Sequence, residues 1–181
     1  MSQIKVNSIV PVAGVPTGGG GGIIQIKQTF KTDTFSSTST GTHDITGLSV
    51  TITPTSSSSK ILVLCDLCGH VHNGMGGAPQ MKRTISGSST TIGLADAAGS
   101  RSRSSFSGNL YTTDGSGSNF LILSSNTKIL DSPSTTSQIT YQAQLVQIST
   151  ALYCINRSEF DVDGNDYTRG VSNITVMEVS A

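Results

Sequence analysis

Apolar residues in this chain come in short runs, and nearly every run stops at a cluster of turn-forming residues. That punctuation leaves little room for helices and points to a succession of strands. Ile45–Thr53 alternates through Leu48, Val50 and Ile52 and stops at Pro54. Lys60–Cys68 is a nearly continuous apolar run, the pattern of a strand buried on both faces. Met81, Arg83 and Ile85 mark a weaker strand, and Phe120-Leu121-Ile122-Leu123 a short apolar one. Ile139, Tyr141, Ala143 and Leu145 alternate with Gln142 and Gln144, as a half-buried strand does. Leu152–Ile155 and Ile174–Val179 close the set, and Ile23–Ile26 is also strand-like. Between these runs lie Thr55–Ser59, Asn73–Gly77, Asp114–Gly117 and Asp163–Asn165, all rich in Ser, Gly, Asn or Asp. Ile92–Ala98 offers at most one helical turn. Roughly eight short strands with this spacing predict an all-β fold, a jelly-roll-like β-sandwich.

Composition supports that reading. Of the 181 residues only 35% are hydrophobic and 12% charged, both low for a soluble enzyme. Ser and Thr fill the gap at roughly 29%, with 20 Gly; Thr suits strands while Ser and Gly suit turns. Eleven basic residues balance eleven acidic ones, and there is no Trp. Nucleic-acid binding through phosphate neutralisation has little support, so no nucleic-acid partner is expected. No apolar run approaches the ~20 residues of a membrane span, so no membrane insertion is expected. The start, MSQIKVNSIVPVAGV, lacks a signal peptide's basic opening and long apolar core. Synthesis in a cytoplasm, and assembly there into something larger, is the expectation.

Gly18–Gly22 divides the chain into an arm and linker, residues 1–22, and a β domain, residues 23–181. The arm carries Ile4, Val6, Ile9, Val10 and Val12, too few for a core of their own. They need a partner surface, either on the main domain or on another molecule, and a short apolar arm on a glycine hinge can add a strand to a neighbouring protein. The glycine run is not a phosphate loop: Ile23–Ile26 follows it, with no Lys-Ser/Thr and no helix.

A series of segments spread along the chain has a familiar order. It begins with Gln25-Ile26-Lys27-Gln28 and Lys31–Phe35, then Ile45–Val50, Ile52-Thr53-Pro54 and Ser59–Val63. It continues with Ile92-Gly93, Asp96–Arg101, Leu130–Ser137, Ile155–Ser158 and Arg169–Glu178. The segment from Ile24 to Ala181 resembles a β-rich domain of tail-fibre-like and other virion structural proteins of bacteriophages, cyanophages especially. The arm, Ile4–Ile9, is similar to the start of many phage appendage proteins. The resemblance implies a virion part, a homotrimer with jelly-roll-like heads, and no particular activity. Independent physics agrees with assembly, because symmetric oligomers cover sheet edges and build rigid appendages.

The most chemical-looking stretch is Cys65-Asp66-Leu67-Cys68-Gly69-His70-Val71-His72. It grows out of the strand Lys60–Leu64, and the matching run ends at Val63. Alternation in a strand sends Cys65 and Cys68 to opposite faces, so they share neither a metal nor a disulfide. Asp66, Cys68, His70 and His72 fall on one face if the strand continues past Gly69; across a threefold axis such histidines could meet their copies. The bland reading, a buried strand followed by a loop, is preferred, and no metal site is expected. No helix follows the cysteines, so a thioredoxin-like site is also unsupported. Asp161–Asp166 has the look of a calcium loop, but position twelve from Asp161 is Ser172 rather than Glu. No G-x-S-x-G occurs, and Glu159 and Glu178 are the only glutamates. Catalytic residues and cofactors are therefore not expected. The five arginines, Arg83, Arg101, Arg103, Arg157 and Arg169, are expected to bond buried carbonyls, to pair with Asp131 or Asp161, or to cross a subunit interface. The sequons at Asn156 and Asn173 carry no meaning in a protein made in bacteria.

The sequence thus predicts a non-enzymatic virion structural protein. It reads as an appendage or fibre head, assembled in an infected bacterium, held through its arm by another virion protein, and able to touch a host-surface glycan. A capsid decoration protein is the first alternative, since shaft repeats and coiled-coil heptads are missing. A carbohydrate-binding module is the second, disfavoured by 5% aromatics.

Overall fold

A computed structural model describes residues 22–71, 77–108, 110 and 121–180. Ten strands are found there: β1 Ile23–Lys31, β2 Phe35–Ser37, β3 Gly41–Ile52, β4 Lys60–Val71, β5 Gly77–Ile85, β6 Ser88–Ile92, β7 Leu123–Asp131, β8 Ile139–Gln147, β9 Tyr153–Ile155 and β10 Ser172–Val179. They form two antiparallel sheets. One runs β1-β10-β4-β7, with the short β9 and β2 extending it; the other runs β3-β8-β5-β6. These two strand orders are those of a jelly roll, eight strands wound as two Greek keys. The all-β expectation therefore holds, and so does the sandwich.

Between the sheets lies one continuous core. Ile61, Val63, Cys65, Leu67 and Val71 of β4 meet Ile174 and Val176 of β10 and Ile139, Tyr141, Ala143 and Leu145 of β8. Strand alternation alone selects these residues, because every second side chain of a strand faces the same way. Gly69 interrupts the β4 series for a steric reason. A Cβ there would collide with the Cys154 carbonyl and crowd Leu110, so only glycine admits β9 beside β4 at that point. The β5–β6 hairpin turns on Ser86 and Gly87, both with positive φ (48° and 83°), as a two-residue type I′ turn requires.

Several elements differ from the sequence expectation. Of the run Phe120–Leu123, Phe120 lies outside the described residues and Leu121 and Ile122 precede the strand; β7 begins at Leu123 and continues through Ser124-Ser125-Asn126-Thr127-Lys128. Between the apolar Leu123 and Ile129 its inward side chains, Ser125 and Thr127, are polar, and residues 105–108 accept their hydrogen bonds. Ser125 Oγ donates to Gly108 O at 2.6 Å and Thr127 Oγ1 to Ser105 O at 2.6 Å. Ile92–Ala98 forms no helical turn; Ile92 ends β6 and the rest is irregular. β2 and β6 lack apolar alternation and were not predicted. The β4 run is not buried on both faces either: Leu62 and Leu64 are only half-buried and Asp66 is exposed.

Two buried carboxylates tie the sandwich together. Asp131 of β7 accepts from Arg83 Nη1 of β5 and from the Tyr141 hydroxyl of β8, each at 2.7 Å, so one side chain joins both sheets. Glu178 of β10 is fully buried. It accepts from Gln25 Nε2 at 2.6 Å and from the Thr55 amide and hydroxyl, both at 2.7 Å. Burial opposes its ionisation, but the hydrogen bonds from Gln25 and Thr55 outweigh that and hold the pKa at about 2. The folded pKa lies below the ordinary value of 4.5. This stabilisation is therefore complete above pH 4.5 and is lost as pH falls towards 2. Glu178→Gln should lower urea stability at pH 7 by about 2 kcal/mol and flatten the pH dependence across that acid window. A variant with the wild-type midpoint at both ends of the window would rule out this role.

A candidate assembly face

The outward faces of the two sheets differ in chemistry. On β3-β8-β5-β6 the outward positions are mostly polar: Asp44, Ser49 and Thr51 of β3, Thr140, Gln142 and Gln144 of β8 with Val146 at its end, and Gln80, Lys82 and Thr84 of β5. On β1-β10-β4-β7 a row of apolar side chains crosses four strands in register. Ile26 pairs with Met177, Met177 with Leu62, and Leu62 with Leu130. Ile26 is 54% exposed and Leu130 55%. Around the row stand Leu64 in the next register line, exposed Phe30 on β1 and half-buried Val179 at the end of β10. The neighbouring charges, Lys60, Asp66 and Lys128, are few and of both signs.

This face is the other side of the apolar run in β4. Its continuous pattern asks for cover on both faces, and the described residues leave Leu62 and Leu64 on the outward one half-buried. Scattered exposed apolar residues need no explanation, but a contiguous cross-strand row does. Closing the exposed half of Ile26 or Leu130 against another surface gains about 1 kcal/mol each. The five arm residues Ile4, Val6, Ile9, Val10 and Val12 lie outside the described residues.

The cysteine–histidine stretch lies at the far end of the same strand. Cys65 faces the core and is buried, with its thiol pushed well up by burial and by the charge of Asp66. Cys68 faces the other way, half-buried beneath Gly170, where a Cβ would stand 3.0 Å from its own Cβ. Strand parity thus separates the two cysteines. Asp66 and His70 share the Cys68 side but do not converge with it. Asp66 is exposed beside Asn173, whereas His70 is buried with Nδ1 3.1 Å from Leu121 O and Nε2 3.9 Å from Glu159 Oε2. His72 lies outside the described residues. Among the described residues no three His, Cys, Asp or Glu side chains are placed to hold a metal.

The segment from Arg157 to Arg169 covers His70 and is built on one asparagine. Asn156 is buried with φ at 62°. Its Nδ2 donates to Lys31 O at 2.7 Å and Asp33 O at 2.9 Å, and its Oδ1 accepts from Ser172 Oγ at 2.7 Å. Its amide donates to Cys68 O at 2.9 Å and its carbonyl accepts from Gly170 N at 3.0 Å. A residue so enclosed is a structural hub. In the acidic loop Asp161 is paired with Arg169 at 2.5 Å, so it is engaged by a cation already on the chain. Two arginines take the expected ion pairs, Arg83 with Asp131 and Arg169 with Asp161, and Arg157 donates to the part-buried Ser158 O and Glu159 O, whereas Arg101 and Arg103 donate to the exposed carbonyls of Ala98 and Ala95 rather than to buried ones.

Sequence reasoning found the β4 run but missed the row itself, because Leu130 and Ile26 join it only through strand pairing. Glu178 gave no local signal either, and Asp131 was expected only as one possible partner of an arginine.

Cys154 is buried on β9 opposite His70, and burial raises its thiol to about 11. Burial raises Cys68 as well. Native protein at mildly alkaline pH should therefore react slowly with an aromatic disulfide reagent, whereas all three thiols should react at once in denaturant. Fast native labelling of Cys65 or Cys154, mapped by mass spectrometry, would contradict these positions.

No protein-family model matches this chain, and no curated protein matches it.

Proposed function

We propose that this chain is a non-enzymatic structural protein of a bacteriophage virion. In this reading it is a jelly-roll head that trimerises through the outward face of β1-β10-β4-β7 and is tethered through residues 1–22 to another virion protein. The observation that carries the proposal is the apolar row Ile26–Met177–Leu62–Leu130, set opposite a polar face on the second sheet. Such asymmetry supports association through one sheet and solvent on the other. A fibre or appendage head fits this layout, with the polar sheet and loops turned towards the host. The capsid decoration reading draws on a specific observation too, a compact domain behind a short arm without shaft repeats.

The test is the mass of the purified full chain by light scattering. Three times the 18.7 kDa protomer is expected at micromolar concentration. Met177→Glu and Leu62→Glu each place a carboxylate in the desolvated contact and should give folded monomers, since a change at a half-open sheet position costs the isolated fold little. A monomeric wild type, or variants that remain trimeric, would sink assembly through this face. Immunogold electron microscopy of particles then separates the two placements: label on every capsid facet supports decoration, label on an appendage supports the fibre head.

A further inference from the structure

Where β2 passes the start of β3, the surface holds a shallow open depression of about 500 Å³, a size that suits one or two sugar rings. Phe35, Ser37, His43, Asp44, Lys82 and Gln144 are among the residues that line it. Three of them form a fixed polar array. Lys82 Nζ donates to both Asp44 oxygens at 2.7 Å, and Gln144 Nε2 donates to Asp44 Oδ1 at 2.6 Å. His43 is anchored as well, its Nε2 2.7 Å from Ser39 O. Burial alone would raise the Asp44 pKa, but the bonds from Lys82 and Gln144 lower it, so the array persists as an ion pair at neutral pH.

Counting donors and acceptors shows what the array has left to offer. A carboxylate has about four acceptor positions, an ammonium three donors and an amide two donors with one oxygen. After the three bonds above, Asp44 Oδ2 keeps an acceptor, Lys82 keeps a donor, and Gln144 keeps one donor and its oxygen. The charges cancel, while donors and acceptors alternate across one small patch. A hydroxyl both donates and accepts, so adjacent hydroxyls on a ring match such a patch, whereas a free anion or cation does not. Phe35, half-buried behind the patch, offers an apolar surface to the C–H face of a sugar ring.

We propose that this depression binds the vicinal hydroxyls of a neutral saccharide, with Asp44, Lys82 and Gln144 as the hydrogen-bonding set and Phe35 as the apolar contact. Its biological setting, a glycan on the host surface, rests on the virion reading. The binding chemistry does not, because Asp44, Lys82 and Gln144 stand on the outward face of the sheet opposite the assembly face.

The experiment is saturation-transfer NMR on the intact protein, with the methyl glycosides of glucose, galactose, mannose and rhamnose as probes and methyl glucuronide as the charged comparison. Saturable millimolar binding of at least one neutral glycoside is expected. Asp44→Ala and Gln144→Leu should each weaken it about tenfold, the loss of one hydrogen-bonding group. Absence of saturable binding to all four neutral glycosides overturns the proposal. So does binding that both variants leave unchanged, or tighter binding of the glucuronide. A monomeric protein that still binds sugar would overturn assembly through β1-β10-β4-β7 and leave this site standing.

Discussion

The central strand β4 is the member on which the rest of the structure depends. It hydrogen-bonds along both edges: β10 and then β9 on one side, β7 on the other. Ile61 pairs at once with Glu178 and Asp131, and Gly69 with Leu123 and Ile155. Strands far apart in sequence are thereby brought to one place, and both buried carboxylates sit opposite the same residue of β4. Satisfying β4's backbone groups sets the order of one sheet. Its inward side chains Ile61, Val63, Cys65, Leu67 and Val71 then form a continuous stripe of the core.

The buried polar groups follow from that arrangement. In a chain with so little apolar material, several inward positions carry Ser, Thr, Asp or Glu. Each is acceptable only because a partner stands within hydrogen-bonding distance. Asp131 has Arg83 and Tyr141 from the opposite sheet, Glu178 has Gln25 and Thr55, and Thr127 has the Ser105 carbonyl. These contacts carry specificity that apolar packing alone would not give. They fix which strand end faces which.

The same strand also links fold to function. Its outward residues Leu62 and Leu64 are as apolar as its inward ones, yet among the described residues they stay half-buried. Met177 of β10, Ile26 of β1 and Leu130 of β7 enlarge that face across the sheet. The second sheet shows the opposite solution, with Asp44, Lys82 and Gln144 paired among themselves and facing water. The proposed association through one sheet and the proposed recognition on the other both rest on that division.

Much of the fold was legible in the residues. Period-two alternation marks β8, and the uninterrupted apolar run marks β4. The parity of Cys65 and Cys68 follows from the strand period alone and needs no tertiary information. Turn clusters marked many of the connections, and low charge with abundant Ser and Thr excluded long helices. Tertiary structure decided the rest, because the remaining signals are not local. β7 reads as a polar loop until residues 105–108 accept its inward hydroxyls, and β2 and β6 are too short and polar to announce themselves. A continuous apolar strand looks doubly buried in sequence. Only the pairing of β4 with β10 and β7, and of β10 with β1, shows that the described residues leave one face partly open, since cross-strand neighbours are set by register and not by distance along the backbone.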